Sequence, residues 1–175
     1  MKPQENEHAR PITDFLMEDH GRLEGLLQSA VAQAGSVDHG AYDRFRAGLL
    51  RHIGMEEKIL LPAAQRLRGG KPLPIASKLR LDHGAIASLL MPPPTAAIIA
   101  TIRAVLKVHN TIEEGLGGLY ETCDDLAGSE SAQLLAKLQA APELAVLPCS
   151  DSPAVMPAVQ RALERAGYTF REDET

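Results

Sequence analysis

Six side chains in this sequence have the types and spacing to hold metal ions: His20, His52, Glu56, His83, His109 and Glu113. They fall into two copies of one pattern. "DHGRLEGLL" at residues 19–27 is followed by "HIGMEE" at 52–57, and "DHGAIASLL" at 82–90 by "HNTIEE" at 109–114. Each copy supplies one histidine from a first segment and a His-x-x-x-Glu pair from a second. On a helix a residue and its i+4 neighbour share one face, about 6 Å apart along the axis. His52 with Glu56, and His109 with Glu113, therefore address a common point. A lone histidine on an apolar helix face is ordinarily a core residue, and a lone His–Glu pair at i+4 is ordinarily a surface ion pair. Here the pattern is doubled, and the joint occurrence favours ligation.

The flanking residues turn all four histidines inward. His20 stands among Leu16, Leu23 and Leu27, and His83 among Leu79, Ile86 and Leu90 at the same offsets. His52 has Leu49 and Ile59 on its face, and His109 has Val105, Leu106 and Leu116. Four imidazoles and two carboxylates buried without compensation would cost roughly a few kcal/mol each. Two divalent or trivalent ions would compensate them, each ion taking two histidines while both glutamates bridge. Mixed imidazole and carboxylate donors suit iron or manganese, with zinc as a further option.

The elements that must position these groups are helices. A first is expected from Thr13, as N-cap, to about Ala34, and a second from Asp38, as N-cap, to about Arg68, with Pro62 kinking it or ending it early. A third spans roughly Ile75 to Leu90 and stops at Pro92–Pro94. A fourth, capped by Thr95, runs to about Leu126, and short helices follow near Ser131–Ala140 and Pro153–Ala166. Four long amphipathic helices on short loops predict an all-α, up-down-up-down antiparallel four-helix bundle with short C-terminal helices. The expected organisation is a flexible arm at 1–12, the bundle at 13–127, and a helical extension at 128–175 packing on or beside it.

Bulk properties narrow the class. The 175 residues suit one domain, and 45% hydrophobic with only 3% aromatic residues favours helix over sheet. A net charge of −5 argues against nucleic acid or an anionic membrane as the main partner. The longest apolar tract, Ile86 to Ile102, is interrupted by three prolines and does not suit a membrane span. The polar N-terminal stretch shows no secretory signal, and Cys123 and Cys149 read as reduced thiols. A cytoplasmic location is expected.

The repeated phrases, together with "EEKILLP" after the first glutamate and "HNTIEEGLGGLY" in the second copy, resemble the hemerythrin-like, HHE cation-binding family over about residues 13–126. That resemblance implies a four-helix bundle holding two iron ions in a non-haem, oxo-bridged centre. His20, His52, His83 and His109 would be the histidine ligands, and Glu56 and Glu113 the bridging carboxylates. Oxygen-carrying hemerythrins add a fifth histidine four residues along the third helix, where this chain has Ala87. Their last carboxylate is an aspartate at i+5, where this chain has Glu114 after Glu113. Four histidines leave an open position on both irons, which resembles the di-iron proteins of nitric oxide stress and iron–sulphur cluster repair.

The function expected from this resemblance is binding or sensing of a small diatomic or peroxide, oxygen or nitric oxide in particular. The alternatives are an enzyme reducing nitric oxide or peroxide, and iron storage or donation for cluster repair. No catalytic nucleophile is apparent. A homodimer, or a protein partner engaged through the C-terminal extension, is compatible with the composition. Around the six ligands, Glu57, Glu114, Asp19 and Asp82 are expected to be solvated, with hydrogen bonds to the ligands as the alternative. Tyr120 is read as core filler that could instead bond near the centre. Gly115, Gly117 and Gly118 are read as helix-packing residues within the fourth helix. His8 and His39 fall in expected loops and are not assigned as ligands.

Overall fold

The computed structural model describes residues 10–172, which are helical with no strand among them. Two of the helix starts follow from local capping chemistry. Asp38 accepts the Ala41 N–H at 2.9 Å and opens α2 (His39–Met55), and Thr95 accepts the Ile98 N–H at 3.2 Å and opens α5 (Ala96–Glu114). His39, expected in a loop, is the exposed first residue of α2; His8 lies outside the described residues. Helix α4 (Ala76–Leu89) ends ahead of the prolines as expected.

Three expectations need correction. Helix α1 spans Pro11–Ala30, so Thr13 is not its cap. The orphan N–H groups of Ile12 and Thr13, and the Thr13 hydroxyl, instead donate to the carboxylate of Asp124, a residue far along the chain.

The second helical stretch continues past Pro62 instead of ending early there. Helix α2 passes into a π turn at Glu56–Leu60 and then into α3 (Leu61–Leu67), with Pro62 in its first turn. The Leu61 N–H reaches back five residues to Glu56 O, and this wider turn accommodates a proline that has no N–H to offer a tighter ladder.

The fourth stretch is two helices, α5 and α6 (Leu119–Ala127), separated at Gly115–Gly118. Gly117 takes φ +69°, and a Cβ on Gly118 would sit 2.6 Å from Glu113 O and 2.7 Å from Ile112 O. These glycines make a tight chain reversal after the second glutamate rather than a helix–helix contact. Helices α7 (Ser131–Gln139) and α8 (Val155–Ala166) complete the chain.

The interior is layered. One apolar cluster gathers Leu23, Leu27, Phe45, Leu49, Ile86, Leu89, Ile102 and Val105. A second gathers Ile12, Leu16, Met55, Leu60, Leu79, Leu119 and Cys123. Chain order sets Asp19, His20, His52, Asp82, His83, His109 and Glu113 between the two on the long helices, with Glu56 one residue past Met55 at the edge of the second. Helix α7 contributes Leu134 and Leu138 to the second cluster, and α8 contributes Val155, Val159 and Leu163 to the first, packing along α4. No described helix is long and apolar enough to cross a membrane.

The glycines give a test of opposite signs. Gly118→Ala forces a methyl against three carbonyls and is expected to lower unfolding free energy by about 2 kcal/mol or more. Gly21→Ala on exposed α1 meets open space and is expected to raise it by about 0.5–1 kcal/mol. Denaturant unfolding of the two variants checks both, and equal effects would contradict the assigned roles.

Candidate metal centre

The two copies of the sequence pattern converge on one point. Glu56 and Glu113 are fully buried, His52, His83 and His109 are nearly so, and His20 keeps 10% of its side chain exposed. Two groups of donor atoms form, each compact to within 4.8 Å: His20, His52, Glu56 and Glu113 in one, and His83, His109, Glu56 and Glu113 in the other.

Both carboxylates divide their oxygens between the groups. Glu56 turns Oε1 to His52 Nε2 at 3.3 Å and Oε2 to His83 Nε2 at 3.1 Å. Glu113 turns Oε2 to His20 Nε2 at 3.5 Å and Oε1 to His109 Nε2 at 2.9 Å. Three of these inward atoms, Glu56 Oε2, Glu113 Oε1 and His83 Nε2, are buried without a hydrogen-bond partner. Orphaned buried acceptors beside imidazole nitrogens are what a cation satisfies, so the residues present fit a metal pair.

Every inner histidine is held from behind. The Nδ1 of His52 faces Asp19 at 2.8 Å, that of His83 faces Glu57 at 2.6 Å, that of His109 faces Asp82 at 3.4 Å, and that of His20 faces Glu114. A carboxylate there accepts a hydrogen bond from Nδ1–H, which fixes the tautomer whose Nε2 lone pair faces a cation.

The four residues expected to be solvated are thus part of the centre. Asp19 and Asp82 are buried, and Glu57 and Glu114 are half-shielded. Asp19 braces the histidine of its own copy, as does Asp82, whereas Glu57 and Glu114 each reach the other copy. Outside this ring Arg22 bonds Asp19, Lys78 bonds Asp82 and Arg80 bonds Glu57. Tyr120 is likewise more than filler, because its hydroxyl lies within hydrogen-bonding distance of both glutamates, His20 and His52. The doubling of Asp before each first histidine and Glu after each bridging glutamate was the available signal for the four carboxylates, and the position of Tyr120 seven residues after Glu113 was the signal for the tyrosine.

Charge follows from this packing. Burial opposes protonation of His52, but Glu56 and Asp19 outweigh it and raise that imidazole to about 10. His83 rises to about 10 in the same way, against burial, through Glu113 and Glu56, and His109 to about 9 through Asp82 and Glu113. His20 is lowered by burial and by the charge on His52. Burial would push Asp19 up, yet hydrogen bonds from His52 and Arg22 hold it at about 2.

In protein stripped of cations, the raised imidazoles contribute stability that is fully present below about pH 6.5 and is lost as pH rises through about 9 to 10. Thermal melts of stripped protein are expected to fall across that window, and a rise would contradict the pairing. Cation uptake must displace the same protons, so affinity should increase with pH. Removing a brace, by Asp19→Asn or Asp82→Asn, should weaken cation affinity about 10–100-fold with the helix content kept; competition against a chelator measures it.

Residues 11–92 match the family model described as the hemerythrin HHE cation binding domain. That span holds the whole first copy of the pattern and His83 of the second, while His109 and Glu113 lie beyond it. No curated protein and no solved structure matches the chain. Domains of this family bind metal cations, and the histidine and glutamate groups gathered between the two apolar clusters are able to hold them. Over residues 11–92 the chain is therefore similar to the hemerythrin HHE cation binding domain.

Proposed function

We propose that this chain is a non-haem di-iron protein that binds or senses a small diatomic molecule or peroxide, with oxygen and nitric oxide as the ligands of first interest. The observation that carries the reading is the division of Glu56 and Glu113, each giving one oxygen to either histidine pair. A single-ion site has no use for two shared carboxylates. In this reading His20 and His52 hold one ion, His83 and His109 hold the other, and both glutamates span them. The four long helical stretches run up-down-up-down, α1 and α4 passing from the second apolar cluster to the first, and α2 and α5 returning.

Bound iron supplies reversible electron transfer and coordination of small ligands. The chain supplies position and exclusion. Asp19, Glu57, Asp82 and Glu114 fix the imidazole orientations and hold the Nδ1 protons. The two apolar clusters keep bulk water from the layer between them. A groove of about 280 Å³ runs beside His20, walled by Leu23, Phe45, Leu49 and Leu106, with Arg103 and Lys107 among its polar residues. Its lining includes His20, the least buried of the four histidines, so a small molecule in the groove would meet that side of the centre. Residues 128–175 form an extension whose α8 lies along α4, where Lys78 meets Asp82 and the Ala166 carbonyl. We assign it the docking of a partner, a second copy or another cytoplasmic protein.

Metal analysis of protein from iron-supplemented cells tests the reading. About two irons per chain are expected, with visible absorption that changes on titration with nitric oxide or oxygen. His52→Ala/His109→Ala should lose both irons and the absorption. Fewer than one iron per chain after anaerobic reconstitution, or a spectrum indifferent to both gases, contradicts it.

A further inference from the structure

The two groups of donors are not equivalent. The Tyr120 hydroxyl enters one and not the other. It lies 2.7 Å from Glu56 Oε1, 3.2 Å from Glu113 Oε2, and 3.1 Å from the Nε2 of both His20 and His52. A phenol has one proton to donate and two lone pairs, so four polar neighbours exceed what hydrogen bonding uses well. Coordination explains the set. With metal–ligand bonds of about 2.1 Å, two donors at right angles around one ion stand about 3.0 Å apart. All four distances from the phenol oxygen cluster about that edge length. Two further edges agree, at 3.3 Å for His52 Nε2 to Glu56 Oε1 and 3.5 Å for His20 Nε2 to Glu113 Oε2. The oxygen is thus within ligand-edge distance of all four donors of one group, His20, His52, Glu56 and Glu113.

We infer that Tyr120 is a fifth ligand to the ion held by His20 and His52, bound as a phenolate, so that the two ions of the pair are chemically unequal. This deepens the di-iron reading and rests on it. On binding, the oxygen–hydrogen bond breaks, its proton passes to solvent, and the oxygen pair forms the bond to the ion; no electron is transferred. The sequence repeat offers the second ion no counterpart. Glu56 to Glu113 and Glu57 to Glu114 are both displaced by 57 residues, and the same displacement carries Tyr120 back to Ala63. Tyr120 reaches the centre from α6, the separate helix that the break at Gly115–Gly118 creates.

The test is resonance Raman spectroscopy of the full chain loaded with ferric ion, excited in its visible absorption. Ring modes of an iron-bound tyrosinate are expected, with a phenolate-to-iron charge-transfer band. Tyr120→Phe should abolish the modes and the band while keeping about two irons per chain. Tyr42→Phe/Tyr168→Phe leaves Tyr120 as the chain's sole tyrosine and should keep both signals, which decides the matter even if Tyr120→Phe proves unstable. Two irons per chain without tyrosinate modes overturns the ligand while leaving the di-iron reading intact. Modes that vanish in the Tyr42/Tyr168 variant overturn it as well. Failure to bind iron at all removes the di-iron reading first and the ligand with it.

Discussion

Two fully buried glutamates facing each other's oxygens through a layer of imidazoles are the constraint on which the rest of this molecule depends. In an apolar interior each carboxylate demands a compensating positive charge or hydrogen-bond donor, and the demand is strongest where water is excluded. The chain meets part of it with the imidazoles, which are raised or braced by neighbouring carboxylates. It leaves Glu56 Oε2 and Glu113 Oε1 unmet. The apolar clusters on either side are therefore more than a core. They set the dielectric environment that makes cation binding favourable and make an unfilled polar layer costly.

The bracing around that layer is cross-linked between the two copies of the repeat. Asp19 to His52 and Asp82 to His109 join helices that already pack together, α1 with α2 and α4 with α5. Glu57 to His83 and Glu114 to His20 tie one copy to the other. Neither copy could orient its own histidines alone. An outer set of cations, Arg22, Lys78 and Arg80, offsets the charge of the braces at the protein surface. Lys78 also reaches the last turn of α8 and the Tyr168 hydroxyl, so the C-terminal helix is fastened one residue away from a histidine brace.

Much of this was legible in the residues, and the parts that were not share a cause. Asp38 and Thr95 cap their helices through their own side chains, and such local chemistry is visible in sequence. So is the i+4 spacing that brings each glutamate beside its histidine. Thr13 looked like the same kind of cap, but its helix starts two residues earlier and its hydroxyl is engaged by Asp124 across the fold, a tertiary partner that no local rule names. Asp19 and Asp82 sit about 100° off the histidine face, a direction that means solvent on an isolated helix and a neighbouring helix in a packed one. Glu57 and Glu114 lie off the ligand face in the same way, and the structure takes the hydrogen-bonded alternative for both. Tyr120, seven residues after Glu113, reaches the centre as its alternative reading had it, but from a separate helix, because Gly117 and Gly118 break the expected fourth helix in two.

The central claim is that two cations lie between the histidine pairs and share both glutamates. Anomalous diffraction from crystals of iron-loaded protein, recorded on either side of the iron absorption edge, tests it most directly. The account predicts two anomalous peaks per chain about 3.5–4 Å apart, one between His20 and His52 and the other between His83 and His109, with Glu56 and Glu113 reaching both. A single peak, or peaks outside the layer bounded by the two apolar clusters, would contradict it.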